Sequence, residues 1–187
     1  MKTKLWKSLT SMALALAMLL AVALSTAAAQ QTDQPQYRTF RGTWLQVQAQ
    51  LDYFSSVFAS VNTTANSVVV GGDVTTFDDR TVTLTLTAER SLNNSTGWSA
   101  VPGKTWTDSF STRGMLPEYM TRTCQSPASG YFYRSNLSAY CYSSGGVLLE
   151  GVQVASPGKY YRAGATSAEL MSSVAEEPIY EVIQLIN

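Results

Sequence analysis

The stretch Thr81-Val-Thr-Leu-Thr-Leu-Thr-Ala88 alternates threonine with an apolar residue over its whole length. Successive side chains of a β-strand point to opposite faces, so this pattern predicts a strand with one buried and one solvent-exposed face. Threonine and valine, both β-branched, also favour extended backbone. The stretch therefore places the chain in the all-β class.

The segments on either side of this strand repeat the pattern in shorter form. Residues 68–74 alternate before it, and Phe77-Asp78-Asp79 has turn composition. After it, the sequence predicts strands at 98–101, 104–111, 119–124, 131–143 and 147–155, with turns at 102–103 and 143–146. Short strands with turn signals every 8–12 residues or so are typical of a single antiparallel β-sandwich of the Ig-like or jelly-roll type, here over residues 38–163.

The N-terminus has the composition of a secretory signal peptide. Three lysines within the first seven residues precede an apolar run at 12–24, and Ala27-Ala28-Ala29 provides an A-x-A site. The sequence predicts cleavage between Ala29 and Gln30, an uncleaved anchor being the alternative. Residues 30–37 are polar and lack periodicity, which predicts a flexible leader.

Charge and composition exclude several classes of function. The 187 residues include 13 Lys+Arg, 13 Asp+Glu and no His. Removal of the three signal lysines leaves 10 basic and 13 acidic side chains, so the mature chain lacks the basic character of nucleic-acid-binding proteins. No second apolar run is long enough to span a bilayer, and we expect a secreted, extracellular product without a membrane span.

The chain shows no recognisable catalytic, cofactor or metal motif. The lack of histidine excludes Ser–His and Cys–His pairs, and no Gly-x-Ser-x-Gly element occurs. Asp73, Asp78 and Asp79 lie near one predicted hairpin, but they match no EF-hand spacing and aspartate is common in turns. Glu150 is predicted either to pair with Arg134 across strands or to be one of two carboxylates of a hydrolase.

Two cysteines, Cys124 and Cys141, are candidates for a disulfide because the chain is predicted to be exported. Such a bond would stabilise the fold by about 2–4 kcal/mol. If residues 117–125 and 131–142 form a hairpin, however, Cys141 lies too far along its strand for bonding unless that strand bends. Both outcomes stay open, with the bond favoured.

Aromatic residues are abundant and serve either the core or a ligand. Tyr131 and Tyr133 share one face of their predicted strand, and one such set is expected between the sheets. Trp98, Tyr140 and Tyr142 are the candidates for an exposed face that stacks against a ligand.

The C-terminal residues 164–187 are predicted to form a tail docked on the domain. A capping box at Thr166 to Glu169 predicts a helix that Pro178 ends. Beyond it, the isoleucines and valine from Ile179 to Ile186 have helical spacing, but their β-branching also permits a final strand. In either form the tail is expected to cover a sheet edge.

Several stretches in this order resemble a known family. They are Arg41-Gly-Thr-Trp-Leu-Gln46, Val82-Thr-Leu-Thr-Leu86, Gly97-Trp-Ser-Ala-Val101, Trp106, Gly130-Tyr-Phe-Tyr-Arg-Ser135, Gly145-Gly146 and Glu150. The order is similar to a family of small secreted β-sandwich proteins of Gram-positive, clostridial-type bacteria. The resemblance covers about residues 38–156. It implies a single β-sandwich and export, and it implies no reaction.

We therefore expect a non-catalytic extracellular binding or cell-surface interaction module without a cofactor. Its ligand would be a cell-wall glycan or another protein. A secreted antagonist of bacteriocin-like or toxin-like character is the alternative. A carboxylate-based hydrolase comes third, because it needs two carboxylates that converge in one pocket.

Overall fold

The computed structural model describes residues 34–164 and 177–186. The predicted signal peptide with its Ala29–Gln30 cleavage site lies outside the described residues, as do residues 30–33 of the leader. The helix predicted from Thr166 also lies outside them. The fold is accordingly the fold of the two described ranges.

Ten strands and one short helix make up the described chain. They are β1 Tyr37–Thr43, α1 Trp44–Gln48, β2 Phe54–Thr63, β3 Ser67–Thr76, β4 Thr81–Ser91, β5 Ser99–Ser111, β6 Glu118–Gln125, β7 Tyr131–Tyr142, β8 Leu148–Ala155, β9 Lys159–Tyr161 and β10 Ile179–Leu185. No described helix is long and apolar enough to cross a bilayer.

The strands form two antiparallel sheets packed as a sandwich. Sheet A has the order β1-β10-β8-β7-β4-β5, with β9 paired to the start of β7. Sheet B has the order β2-β3-β6. All neighbouring strands are antiparallel. The predicted all-β antiparallel sandwich is thus confirmed.

The core lies between the sheets and follows the alternation seen in the sequence. On β4 the apolar residues of the Thr81–Ala88 stretch are all fully buried, and its threonines lie on the other face. On sheet B, the buried residues Val68, Val70 and Val74 of β3 belong to the same core. The two layers approach each other closely at Gly72, where an added Cβ would lie 2.7 Å from both Cδ atoms of Leu137.

Two predicted turns have a different structure. Residues 102–103 lie within β5, whose pairing with β4 jumps from Thr87–Thr105 to Glu89–Ala100. A bulge with Gly103 at φ +68° absorbs the extra residues, so the strand continues where a turn was predicted. The segment Phe77–Asp79 does not close a hairpin, because it connects β3 of sheet B to β4 of sheet A. The turn at 143–146 is confirmed, with Ser143 N–H donating to the Val147 carbonyl at 2.9 Å.

The C-terminal segment is a strand inside sheet A. β10 lies between β1 and β8, and its Tyr180, Val182 and Gln184 are buried on the core side. The extended alternative is therefore correct for residues 179–185, and the helical one is wrong. β-branched residues and the two partner strands override the helical spacing.

The two cysteines are free, buried thiols in the structure, so the favoured disulfide was the wrong alternative. β6 does not pair with β7 as the hairpin assumed; Cys124 lies opposite Val68 in sheet B, and Cys141 lies in sheet A. The two thiols therefore belong to strands of different sheets that are not hydrogen-bonded to each other.

We expect alkylation of the denatured, unreduced protein with iodoacetamide to modify both cysteines. In the native protein we expect neither to react within the same time, because both side chains are buried and burial raises the pKa of Cys141 to about 11. Intact mass spectrometry reads both results, with a reduced, denatured sample as the control. An unreduced, denatured chain that gains no mass would contradict the free-thiol assignment.

Candidate functional site

The outer face of sheet A, which points away from sheet B, carries the residues predicted to contact a ligand. Tyr140 and Tyr142 point outward from β7, because Ala139 and Cys141, which alternate with them, belong to the core. Trp98 precedes β5, and the guanidinium carbon of Arg134 lies 4.4 Å from its ring centroid. Arg134 is on the same face of β7 as Tyr140. The structure therefore places all three predicted residues on one face, each half-buried.

Tyr140 begins a row that crosses four strands. Its register partners in succession are Gly151 on β8, Ile183 on β10 and Thr39 on β1. A Cβ on Gly151 would lie 2.8 Å from the Tyr140 ring, so the ring lies over the glycine. A cavity of about 490 Å³ opens along this row. Its size is in the range of small-ligand pockets.

The next row is polar and contains Ser138, Gln153, Glu181 and Arg41 in register. Gln153 Nε2 donates to Asn136 Oδ1 at 3.1 Å. This hydrogen bond orients the Gln153 amide and leaves its Oε1 as an acceptor. This row therefore presents oriented hydrogen-bonding groups beside the apolar row.

A second cavity of about 250 Å³ lies at the Trp98 end of the face. Glu89 organises its wall, since it accepts from Arg134 Nε at 2.6 Å and from Asn136 Nδ2 at 2.9 Å. The two cavities share Arg41, Gln153 and Glu181 in their linings. We call this continuous depression, from Trp98 to Tyr140, the sheet A groove.

Gly158 permits the close approach of the loop that carries Trp98. A Cβ at this position would collide with Asn94 Oδ1 and would lie 2.7 Å from the Trp98 ring. In the described part of the chain, Asn94 Oδ1 is the one buried side-chain polar atom without a hydrogen-bond partner. Asn94 and Gly158 both line the groove at its Trp98 end.

Both arginines of the groove are paired with carboxylates. Arg134 pairs with Glu89, and Arg41 Nε lies 3.5 Å from Glu181 Oε1. A further carboxylate, that of Glu177, also lines the groove at its Trp98 end. The groove therefore offers no unpaired arginine to a polyanion.

A ladder of hydroxyl groups extends the polar surface beyond the groove. Three pairs join β4 to β5 on the outer face: Thr83 with Ser109 at 2.8 Å, Thr85 with Thr107 at 3.0 Å and Thr87 with Thr105 at 3.2 Å. These are the threonines whose alternation predicted β4. Cross-strand hydroxyl pairs of this kind stabilise a sheet and remain available to solvent.

Sequence reasoning did not find Arg41, Gly151, Gln153 and Glu181. They lie on β1, β8 and β10, and nothing in the local sequence shows that β10 inserts between the other two. Asn136 could have been found, because its spacing from Tyr140 along β7 places both on one face.

Glu150 has a different role from either of the two predicted. It is fully buried on the inner face of β8, and Arg134 pairs with Glu89 instead. Its Oε1 accepts from the backbone N–H of Asp52 at 3.1 Å. Its Oε2 accepts from the N–H groups of Tyr53 and Phe54 at 3.1 and 3.0 Å. The carboxylate thus fixes the backbone at the start of β2.

Gln184 completes a buried polar cluster around Glu150. Its Nε2 donates to Glu150 Oε1 at 2.8 Å and to Asp52 Oδ2 at 2.6 Å, and its Oε1 accepts from Arg38 Nε at 2.8 Å. Burial raises the pKa of Glu150, and the backbone donors oppose that shift. The cluster ties β1, β8 and β10 together beneath the groove, so a hydrolase role for the enclosed Glu150 carboxylate is not supported by its position.

The three aspartates considered for a cation do not share a common site. Asp78 pairs with Arg80 at 2.5 Å, and Asp79 Oδ1 accepts from the Gly114 N–H at 2.9 Å, as expected of residues in a turn. Asp73 lies on β3 in sheet B. Among residues 34–164 and 177–186, no group of three or more His, Cys, Asp or Glu side chains is placed to hold a metal ion.

No protein-family model matches the chain. No curated protein matches it significantly. Among solved structures, a cancer-cell-recognising toxin of Bacillus thuringiensis, parasporin-2, shows 10% identity and a TM-score of 0.15, covering 82% of this chain and 68% of the toxin chain. A TM-score that low carries no argument about fold or activity.

Proposed function

We propose that the protein is an exported, non-catalytic module that binds a neutral glycan in the sheet A groove. The observation that carries the proposal is the juxtaposition of two kinds of row. The Tyr140–Gly151–Ile183 row is apolar, and the parallel row through Gln153 consists of hydrogen-bonding groups. The groove between them is continuous as far as Trp98.

A glycan matches this surface in chemistry. A sugar ring has C–H groups that pack on an aromatic face and hydroxyls that both donate and accept hydrogen bonds. Tyr140 and Trp98 supply the aromatic surface at the two ends of the groove. Between them, the amides of Asn136 and Gln153 supply donors and acceptors. Pockets with apolar walls and a few oriented polar groups are typical of small-ligand sites.

The ion pairs of the groove favour an uncharged ligand and a binding role. Glycoside hydrolysis needs two carboxyl groups that flank the scissile bond. Glu89 and Glu181 each already contact an arginine, and Glu177 is the one further carboxylate in the described lining of the groove. We therefore assign the groove to recognition rather than to cleavage.

The predicted signal peptide supports an extracellular location, and so does the resemblance to exported clostridial-type proteins. Outside the cell, the glycans of the cell wall are the abundant polymers of this chemistry. We propose that the partner is such a wall glycan.

Retention on insoluble polysaccharides and purified cell walls tests the proposal. We expect the wild-type protein to be retained, and Tyr140→Ala and Trp98→Ala each to bind at least about tenfold more weakly, as expected of aromatic hot-spot residues. Phe77→Ala is the matched control, because Phe77 is an exposed aromatic residue between β3 and β4, outside the groove. Circular dichroism verifies that all variants fold.

Salt dependence separates a neutral glycan from a charged one. Retention should persist in about 1 M NaCl, where the Debye length is about 3 Å. No retention on any matrix, or equal retention of Tyr140→Ala and wild type, would contradict the proposal.

A further inference from the structure

The outer face of sheet B carries a row with a carboxylate between two aromatic rings. Phe58 on β2, Asp73 on β3 and Tyr119 on β6 are direct register partners. The aromatic side chains are exposed, Phe58 to 44% and Tyr119 to 72%. Directly opposed residues have Cβ atoms about 4.5–5.5 Å apart, so each ring neighbours the carboxylate.

Packing against another aromatic ring restricts the Phe58 side chain. The Trp44 ring of α1 lies 5.5 Å from the Phe58 ring, between centroids, and 5.2 Å from the ring of the buried Tyr180. The aromatic wall on this side of Asp73 is therefore braced against the core. A braced side chain loses less entropy when a ligand packs on it.

Asp73 lacks a partner within the described residues. The four ion pairs found there do not include it, and its carboxylate makes no side-chain hydrogen bond in them. Burial raises the pKa of Asp73, with no neighbouring cation or donor to offset it. A half-buried carboxylate of this kind is normally hydrogen-bonded or paired.

We propose that this row binds an organic cation of the trimethylammonium class, such as choline, above Asp73 and between Phe58 and Tyr119. Neighbouring strands are about 4.8 Å apart. A cation above β3 therefore lies between the two flanking aromatic side chains, where each ring can approach it to within the roughly 6 Å of a cation–π contact, and the carboxylate neutralises its charge. This site lies on the other sheet and does not depend on the sheet A groove.

The chemistry of the row selects a quaternary ammonium over other cations. A primary ammonium has three N–H donors to satisfy, and the row offers one carboxylate. A metal ion requires several oxygen ligands, and among the described residues Asp73 belongs to no group of three or more His, Cys, Asp or Glu side chains placed to hold one. A trimethylammonium group needs no hydrogen-bond acceptor and gains from both rings.

Choline chloride titration followed by amide NMR shifts tests the site. We expect shifts centred on residues 57–59, 72–74 and 118–120. The neutral analogue of choline, in which a tert-butyl group replaces trimethylammonium, should bind about tenfold more weakly, because it loses the cation–π contacts and the attraction to the Asp73 carboxylate. No shifts with choline, or equal affinity for the analogue, would overturn the proposal.

Two substitutions localise the interaction. Asp73→Asn and Tyr119→Ala should each weaken choline binding about tenfold. Asp108→Asn should leave it unchanged, because Asp108 lies in sheet A and pairs with Arg122. Unchanged affinity of Asp73→Asn would overturn the assignment. Because these variants leave the sheet A groove intact, their outcome is independent of glycan retention.

Phosphatidylcholine vesicles distinguish the source of the cation. Cosedimentation that free choline abolishes supports a lipid-borne head group. Binding of choline without cosedimentation supports a soluble or polymer-borne one. Cosedimentation unaffected by free choline and by Asp73→Asn would contradict the site.

Discussion

Glu150→Ala is expected to lower the free energy of unfolding by about 3–5 kcal/mol. The substitution removes the acceptor of three backbone N–H groups at the start of β2, and it also removes the hydrogen bond from Gln184 Nε2 to Glu150 Oε1. Urea unfolding followed by tryptophan fluorescence measures the change. An unchanged m-value would show that the unfolding transition itself is unaltered.

Glu150→Gln separates the role of the charge and second acceptor from that of side-chain volume. Either orientation of the glutamine amide places an NH₂ group against N–H donors, so we expect a loss of about 1–3 kcal/mol. Glu181→Gln is the matched control on an exposed ion pair and should cost less than about 1 kcal/mol. A Glu150→Gln variant as stable as wild type would show that the carboxylate does not organise this end of the sandwich.

Leu137→Ala is expected to destabilise the fold by about 2–5 kcal/mol, because Leu137 is fully buried where the sheets meet. Gly72→Ala alone should cost about 1–3 kcal/mol, since its methyl group would lie 2.7 Å from the leucine. In the double variant the new methyl group occupies part of the cavity left by the leucine. The double variant should therefore be more stable than the sum of the single effects by at least about 1 kcal/mol.

Gly145→Ala is the control for the cycle, because its Cβ would meet only Ser143 Oγ, at 3.7 Å. It should change the free energy of unfolding little. Strict additivity of the Gly72 and Leu137 substitutions would contradict the close approach of the two sheets at this point.

The elements that sequence alone predicted are those with a strong local pattern. The Thr81–Ala88 alternation identified β4 and both its faces, because period two is a property of a single strand. The prediction of a turn at residues 102–103 is wrong, since proline and glycine also occur in β-bulges. The insertion of β10 depends on pairing with distant strands, and its helical spacing pointed to another structure.

The candidate site shows the same division. Trp98, Tyr140 and Tyr142 could be proposed from residue type and spacing, and they do lie on one face. The partners Arg41 and Glu181 come from strands that are close only after the chain has folded. Glu150 illustrates a second limit of sequence-based prediction. A carboxylate on a strand is expected to be exposed, and only the structure shows the three backbone N–H donors that allow this one to be buried.

The most direct test of the account maps a soluble oligosaccharide, cut from whichever glycan retains the protein, by amide NMR shifts. The account predicts shifts confined to the outer face of sheet A, strongest around Tyr140, Gly151 and Gln153 and extending to Trp98. Shifts centred on sheet B would contradict the assignment of the sheet A groove, as would binding that persists undiminished in Tyr140→Ala.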